Sequence, residues 1–297
     1  MSTDATTFDP VLVDTPAPVS QTDAARNKLV IALLLVSTFV VFLNETIMSV
    51  AIPHLMESLG VAASAAQWLT TAFLLTMAVV IPITGFLLQR LNTKPIFLLA
   101  MSIFTAGTLI CAISPGLELL VFGRVIQAVG TAIMMPLLMT TVMTLVPPEG
   151  RGKTMGNISI VMSVAPAIGP TIGGFVLANM EWRWMFILVL PIAIAALLLG
   201  ARKIQNVTTP RYAPLDILSV VLSAFAFGGL IYGLSSFGES FAHPDEAGMI
   251  PLWAPIAVGI VAMALFVWRQ LGLQRDNKAL LDLRVFQSRN YSVSVSM

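Results

Sequence analysis

The stretch Ala165-Pro166-Ala167-Ile168-Gly169-Pro170-Thr171-Ile172-Gly173-Gly174 decides the class of fold, because two prolines and three glycines in ten residues would break a helix in water. It lies in an apolar segment, residues 158–177, that is long enough to cross a bilayer at about 1.5 Å per residue. In a membrane, neighbouring helices satisfy the carbonyls that proline leaves free. Gly169 and Gly173 form a ridge of small residues that lets a second helix approach closely. The stretch alone fits either a close-packed helix contact or a bent helix that lines a moving cavity.

The composition is that of a membrane protein. Hydrophobic residues make up 57% and charged residues 10% of the 297, with a mean hydropathy of +0.89, whereas globular chains average about 25% charged residues. The net charge of +1 gives no reason to expect nucleic acid as a partner. The single cysteine cannot form an intrachain disulfide. His54 and His243 are isolated from other possible ligands, so we expect no metal site and no cofactor.

Apolar segments of spanning length follow one another along the chain, separated by polar or Gly/Pro-containing breaks. The eight segments are residues 29–52, 68–88, 95–113, 117–146, 158–177, 184–199, 217–234 and 252–268. They predict an all-α, polytopic membrane protein in a lipid bilayer. Residues 1–28 are rich in Thr, Asp, Pro and Ala, and we expect a disordered cytoplasmic tail there.

Basic residues predict the orientation. They collect before the first span and after the second, fourth, sixth and eighth spans, while acidic residues gather in the intervening loops. This is the positive-inside pattern, so we expect the N-terminus in the cytoplasm and the protein in the cytoplasmic membrane. Four tryptophans that could anchor the outer boundary agree with this orientation: Trp68, Trp182, Trp184 and Trp253.

Ionisable side chains within or at the edge of a span are functional candidates, because burying a charge in a bilayer is costly. Glu45 and Arg124 each lie seven residues from the outer end of their spans, about 10 Å deep. They could share a cavity in which Glu45 binds and releases a proton, or form a static ion pair that only fixes packing. Gln127 and Thr131 extend Arg124 into a polar stripe that should face the bundle interior. Asp216 opens the seventh span and is expected to cap that helix.

Five different short motifs follow one another along the chain. They are Leu43-Asn44-Glu45-Thr46-Ile47, the turn from Gly85 to Lys94, Arg124-Val125-Ile126-Gln127-Ala128-Val129-Gly130, the stretch from Ala165 to Gly174, and Glu181-Trp182-Arg183-Trp184-Met185-Phe186. Together they resemble the 14-helix drug:proton antiporter family of the major facilitator superfamily, and in particular its lincomycin-resistance-type multidrug exporters.

The resemblance implies a role for each motif. Glu45 and Arg124 would couple transport to protons. The other expected groups are the substrate cavity (Asn44, Gln127, Thr131), the antiporter-motif helix (Pro166, Gly169, Pro170, Gly173, Gly174) and a cytoplasmic gating loop (Gly85, Gln89, Arg90, Lys94). Two positions depart from the family pattern: Asn44 and Gln89 each stand where the family carries Asp. The first departure moves a carboxylate-based proton role to Glu45.

The resemblance also implies an organisation. Residues 29–200 would form the N-terminal six-helix half, residues 201–271 two inserted helices with a cytoplasmic linker, and residues 272–297 a cytoplasmic segment that leads to a missing second half. The chain would then be truncated, or would pair with a separate second half or with another copy of itself. The expected function is proton-coupled export of small-molecule drugs, and the alternative is a transport-inactive membrane receptor, scaffold or fragment. An enzyme would need a nucleophile and a base in one cavity, and no such pair is visible in the sequence, so we predict no enzyme.

Overall fold

The computed structural model describes residues 21–207, 216–242, 253–274, 279 and 284. Within these residues the chain forms eight α-helices and no strand. The helices are α1 (Gln21–Leu59), α2 (Ala63–Arg90), α3 (Thr93–Ile113), α4 (Leu117–Leu145), α5 (Pro148–Asn179), α6 (Trp184–Lys203), α7 (Ile217–Ala242) and α8 (Trp253–Gln274). Each contains a segment long and apolar enough to cross a membrane. The prediction of an all-α, multi-pass membrane protein is therefore confirmed.

Several helices extend beyond the apolar segments that predicted them. Helix α1 begins at Gln21, inside the predicted tail, and continues through Pro53 to Leu59. Helix α5 begins ten residues before the predicted span, with Pro148 in its first turn, where proline loses no hydrogen bond. Hydropathy marks only the part of a helix that lies in the bilayer, so polar turns at either end escape it. Residues 1–20 and much of the predicted linker and of residues 272–297 lie outside the described residues.

The first six helices enclose two apolar clusters. One is built around Phe97, Phe104 and Leu138, and the other around Leu55 and Phe186. Burial of these side chains is achieved by helix-on-helix packing, which also excludes lipid from the middle of the bundle.

Helices α3 and α4 touch backbone to backbone. A Cβ atom added to Gly107 would lie 2.5 Å from the Gln127 backbone nitrogen, and one added to Gly130 would lie 2.5 Å from the Ala100 carbonyl oxygen. Only glycine permits this approach. The contact brings polar side chains of α3 within reach of the polar stripe on α4.

Helices α7 and α8 pair with each other, and α7 also packs on α2. The Trp68 and Tyr232 rings lie with centroids 6.0 Å apart, and the Thr71 and Ser235 hydroxyl oxygens lie 3.3 Å apart. The last helix pair is therefore attached to the side of the six-helix bundle through α2.

Candidate functional site

Arg124 lies at the centre of a buried polar cluster on α4. Its side chain is 1% exposed, and its Nη1 donates a hydrogen bond to Oε1 of Gln127 at 2.8 Å and lies 3.5 Å from Oδ1 of Asn44. The Gln127 Nε2 in turn donates to Oγ1 of Thr108 at 2.8 Å. A chain of polar contacts thus links α1, α4 and α3.

An aromatic ring covers the Arg124 guanidinium from the side of α2. Its Cζ lies 3.9 Å from the centroid of the Phe73 ring, which is 1% exposed. The quadrupole of the ring attracts a cation, more strongly when water is excluded. The Nε of Arg124 is buried without a hydrogen-bond partner among the described residues. The guanidinium therefore makes these contacts with neutral groups and keeps one donor free.

Glu45 is half-buried on α1 and does not pair with Arg124. Among the described residues no arginine, lysine or histidine nitrogen lies within 4.0 Å of its carboxylate. It remains within electrostatic range of Arg124. The preceding residue, Asn44, contacts the guanidinium instead, because successive helical side chains point about 100° apart. The static ion pair considered from the sequence is not present.

The polar stripe faces the bundle interior. Gln127 and Thr131 are as buried as Arg124, and Asn44 joins them from α1. The Thr131 hydroxyl donates to the Gln127 carbonyl oxygen at 3.0 Å, so its hydrogen bond stays within α4. Asn44 and Gln127 use their side chains to hold Arg124.

The antiporter-motif helix meets the first-span motif in space. A Cβ atom added to Gly169 would overlap the side chain of Thr46, the neighbour of Glu45, whereas one added to Gly173 would lie an ordinary 3.4 Å from Ile47. Gly174 faces open space. Pro166 and Pro170 lie on the exposed side, and α5 continues through both. Of the three glycines in the motif, Gly169 is therefore the one at which α1 leaves no room for a side chain.

The predicted gating loop is a two-residue turn, Leu91 and Asn92, between α2 and α3. Gly85, Gln89 and Arg90 belong to α2, where the Arg90 guanidinium lies 5.8 Å from the centroid of the Phe86 ring. Lys94 lies in the first turn of α3, and its backbone N–H donates to Oδ1 of Asn206 at 3.3 Å. The Lys94 hydrogen bond connects the turn to the residues that follow α6.

A second polar cluster joins α7 to α8. Arg269 binds Asp216 through two hydrogen bonds, Nε to Oδ2 at 2.7 Å and Nη2 to Oδ1 at 2.9 Å. The Ser219 hydroxyl donates to Asp216 at 2.5 Å and accepts from Nε2 of Gln270 at 2.7 Å. The hydrogen bonds from Arg269, with help from Ser219, lower the pKa of the Asp216 carboxyl from 3.8 to about 2. Asp216 therefore does more than cap α7.

The sequence model of the Major Facilitator Superfamily matches residues 34–280. The chain belongs to this superfamily. Three similar proteins are an uncharacterized MFS-type transporter, YcnB, from Bacillus subtilis (44% identical), the lincomycin resistance protein LmrB of Listeria monocytogenes (42%) and the putative multidrug resistance protein MdtD of Escherichia coli (32%). The alignments cover 88%, 87% and 87% of this chain and 54%, 53% and 53% of those proteins. The chain thus spans about half the length of the curated relatives it matches.

Solved structures share the fold. The peptide transporter POT in complex with sulfate superposes with a TM-score of 0.59 at 14% identity, over 84% of this chain and 53% of that one. The human organic anion transporter MFSD10 gives 0.56 at 17% identity, over 81% and 71%. The resemblance to the major facilitator superfamily and to lincomycin-resistance-type proteins is confirmed. Because the chain belongs to this superfamily and its relative YcnB is named an MFS-type transporter, the prediction that the chain is not an enzyme is also confirmed.

Two features of this superfamily member carry little signal in the sequence. Phe73 is one apolar residue among many in α2, and Thr108 is one of several hydroxyl residues in α3. Both enter the Arg124 cluster only through helix packing. In the described ranges no three His, Cys, Asp or Glu side chains come together as metal ligands would.

Proposed function

We propose that the protein exports small drug-like molecules in exchange for protons, with Glu45 as the proton-binding group. The names of two relatives, a lincomycin resistance protein and a putative multidrug resistance protein, support drugs as the substrate class. One observation carries the proton role: a half-buried carboxylate lies near a fully buried arginine without pairing with it.

The neutral surroundings of Arg124 support this role. A carboxylate in a bidentate ion pair is held in its charged form by its partner, whereas an unpaired one in a membrane interior can take up a proton. Asn44, Gln127 and the Phe73 ring hold the guanidinium without neutralising it. The positive charge of Arg124 therefore stays available to attract Glu45 whenever Glu45 is ionised.

In the proposed cycle, a proton from outside neutralises Glu45 and weakens its attraction to Arg124, which favours release of substrate outward. Loss of the proton to the cytoplasm restores the attraction and favours the inward state. Asn44, Gln127 and Thr131 would line the substrate cavity, and substrate would compete with Arg124 for the two amide side chains. The close contact of Gly169 with Thr46 would be the pivot between α5 and α1.

The remaining expectations complete the proposal. The chain would lie in the cytoplasmic membrane with its N-terminus in the cytoplasm, as the positive-inside pattern predicts. Helices α1 to α6 would be the N-terminal half of the transporter and α7 and α8 an inserted pair. A second half, or a second copy, would complete the cavity, since alternating access in this fold needs two halves around a midplane site. The turn between α2 and α3 would gate the cytoplasmic side.

The test is substitution of Glu45 in the native gene product reconstituted in vesicles with an imposed pH gradient. Glu45→Gln keeps the shape of the side chain and removes its titration, so we expect drug-driven proton movement to be lost. Glu57→Gln is the matched control, because Glu57 lies on the same helix and is exposed. Unchanged export with an unchanged pH profile in the Glu45 variant would overturn the proton role. Drug binding without flux in the unsubstituted protein would favour a receptor.

A further inference from the structure

The Phe73 ring is the least expected member of the Arg124 cluster. It belongs to α2, and its ring lies over the guanidinium of Arg124. The side-chain amides of Asn44 and Gln127 contact the guanidinium at Nη1 instead. Both the ring and the guanidinium are almost completely buried. Their burial keeps bulk water away from this contact, which strengthens the electrostatic attraction between the ring and the cation.

The chemistry of an aromatic ring differs from that of every other partner a buried arginine could have. A carboxylate would neutralise the guanidinium, and a polar side chain could exchange protons or hydrogen bonds with substrate. A phenylalanine ring attracts the cation, carries no net charge and titrates at no pH. It can therefore hold Arg124 in place without entering the proton chemistry.

Few other ionisable groups act at this position. The titratable groups that act electrostatically on Arg124 are Glu45 from α1 and the Cys111 thiol from α3, and in the described part of the chain α2 and α5 add none. Arg124 is likewise the charged group that acts on Glu45. The Arg124 guanidinium can therefore contact either its neutral partners or Glu45, and few other charged groups influence which of them it contacts.

We infer that Phe73 is a positioning residue that holds Arg124 away from Glu45 and so sets the pH range over which Glu45 exchanges its proton. The inference rests on the proposed proton role of Glu45. Weakening the ring's attraction frees the guanidinium to pair with the carboxylate. More acid is then needed to protonate Glu45, because a paired carboxylate favours its charged form.

The test replaces Phe73 with mono-, di- and trifluorophenylalanine in the native gene product. Fluorine withdraws electron density from the ring while changing its volume little. We expect export at neutral pH to fall stepwise with fluorine number, by about tenfold for the trifluoro ring, and the pH profile to shift to lower pH. Phe104 is the matched control, because it is equally buried and packs beside Gly130 with no cation over its ring among the described residues.

Two conventional variants extend the test. Phe73→Leu should reproduce the trifluoro result, and Phe73→Trp, which keeps a ring able to attract the cation, should retain the native pH profile even if its larger size lowers the export rate. Equal losses of export in the Phe73 and Phe104 series, with no shift of the pH profile, would overturn the inference. Such a result would mean that Phe73 acts only by packing.

The inference and the proposed function fail in different ways. Native export from every Phe73 variant, with the pH dependence still abolished by Glu45→Gln, would overturn the inference alone. An unaltered pH profile in Glu45→Gln would overturn the proposed function and the inference with it.

Discussion

Two arginines of this protein lie within electrostatic range of a carboxylate, and each meets its carboxylate differently. Arg269 binds Asp216 through two short hydrogen bonds, at 2.7 and 2.9 Å. Arg124 contacts amide groups and an aromatic ring, keeps its Nε without a hydrogen-bond partner among the described residues and leaves Glu45 unpaired. Both clusters contain an arginine and a carboxylate, but the two are paired in the first cluster and unpaired in the second. We call the first the closed cluster and the second the open cluster.

The comparison indicates that the Arg269–Asp216 arrangement suits a fixed contact between helices, whereas the Arg124 arrangement suits a contact that changes. A bidentate pair satisfies both partners at once, so neither gains by moving, and it fixes α7 against α8. A buried cation held by neutral groups keeps its attraction for an anion that arrives later. The open cluster is therefore the better candidate for a transport step, and the closed one for structure.

The largest expected effect separates the two arginines directly. Lysine cannot form the planar fork or stack on a ring as arginine does. We expect Arg124→Lys to lower export by about tenfold or more, because it loses charge-assisted hydrogen bonds in a buried site. Arg269→Lys keeps a cation beside Asp216 at a half-exposed position and should stay within about twofold of the native rate. Export from vesicles at matched protein content measures both, and equal losses would contradict the distinction.

A smaller effect is expected where α5 supports the open cluster. In Gly169→Ala the new methyl group would overlap Thr46, next to Glu45, and such overpacking costs about 1–3 kcal/mol. Thermal unfolding in detergent should show the loss, and the double variant with Thr46→Ala should recover part of it. Gly174→Ala adds the same methyl group to open space and should not destabilise the protein. Equal behaviour of the two alanine variants would argue against a tight α1–α5 contact.

The closed cluster should affect stability rather than transport. Asp216→Asn removes the charge that Arg269 binds, yet the Arg269 side chain is 34% exposed and can recover water. We therefore expect a modest fall in thermal stability with export nearly unchanged. Glu45→Gln should do the reverse, with native stability and altered export. Measuring both properties for both variants sharpens the comparison, and a transport defect in Asp216→Asn without loss of stability would weaken it.

The smallest expected effect is a loss of thermal stability at acidic pH. The pKa of Asp216 is about 2 in the folded protein, below its ordinary 3.8, so its contribution to stability is complete above about pH 4. That contribution is lost as the pH falls from about 4 to about 2, where the carboxyl takes up its proton. The difference in unfolding temperature between the native protein and Asp216→Asn should be constant at higher pH and shrink as the pH falls toward 2, where the carboxyl is half protonated. A difference of constant size between neutral pH and pH 2 would show that the pair is not its source.

Local patterns in the sequence were sufficient for several of these conclusions. Hydropathy predicted each of the eight spanning helices in the described part of the chain, because a bilayer requires each helix separately to be long and apolar. The spacing of Arg124, Gln127 and Thr131 placed them on one helical face, which the structure buries. The ordered motifs indicated the superfamily, since each is a short contiguous run of residues.

The partners of the charged groups were decided by the tertiary structure alone. Whether Asn44 or Glu45 meets Arg124 depends on the rotation of α1 about its axis, and the choice of Phe73 and Thr108 depends on how α2 and α3 pack on α4. Close contacts at Gly107 and Gly169 help fix those rotations. The pairing of Asp216 with Arg269 likewise spans 53 residues. Periodicity in a sequence shows which residues share a face, but the neighbour that the face meets is set by contacts between helices distant in the chain.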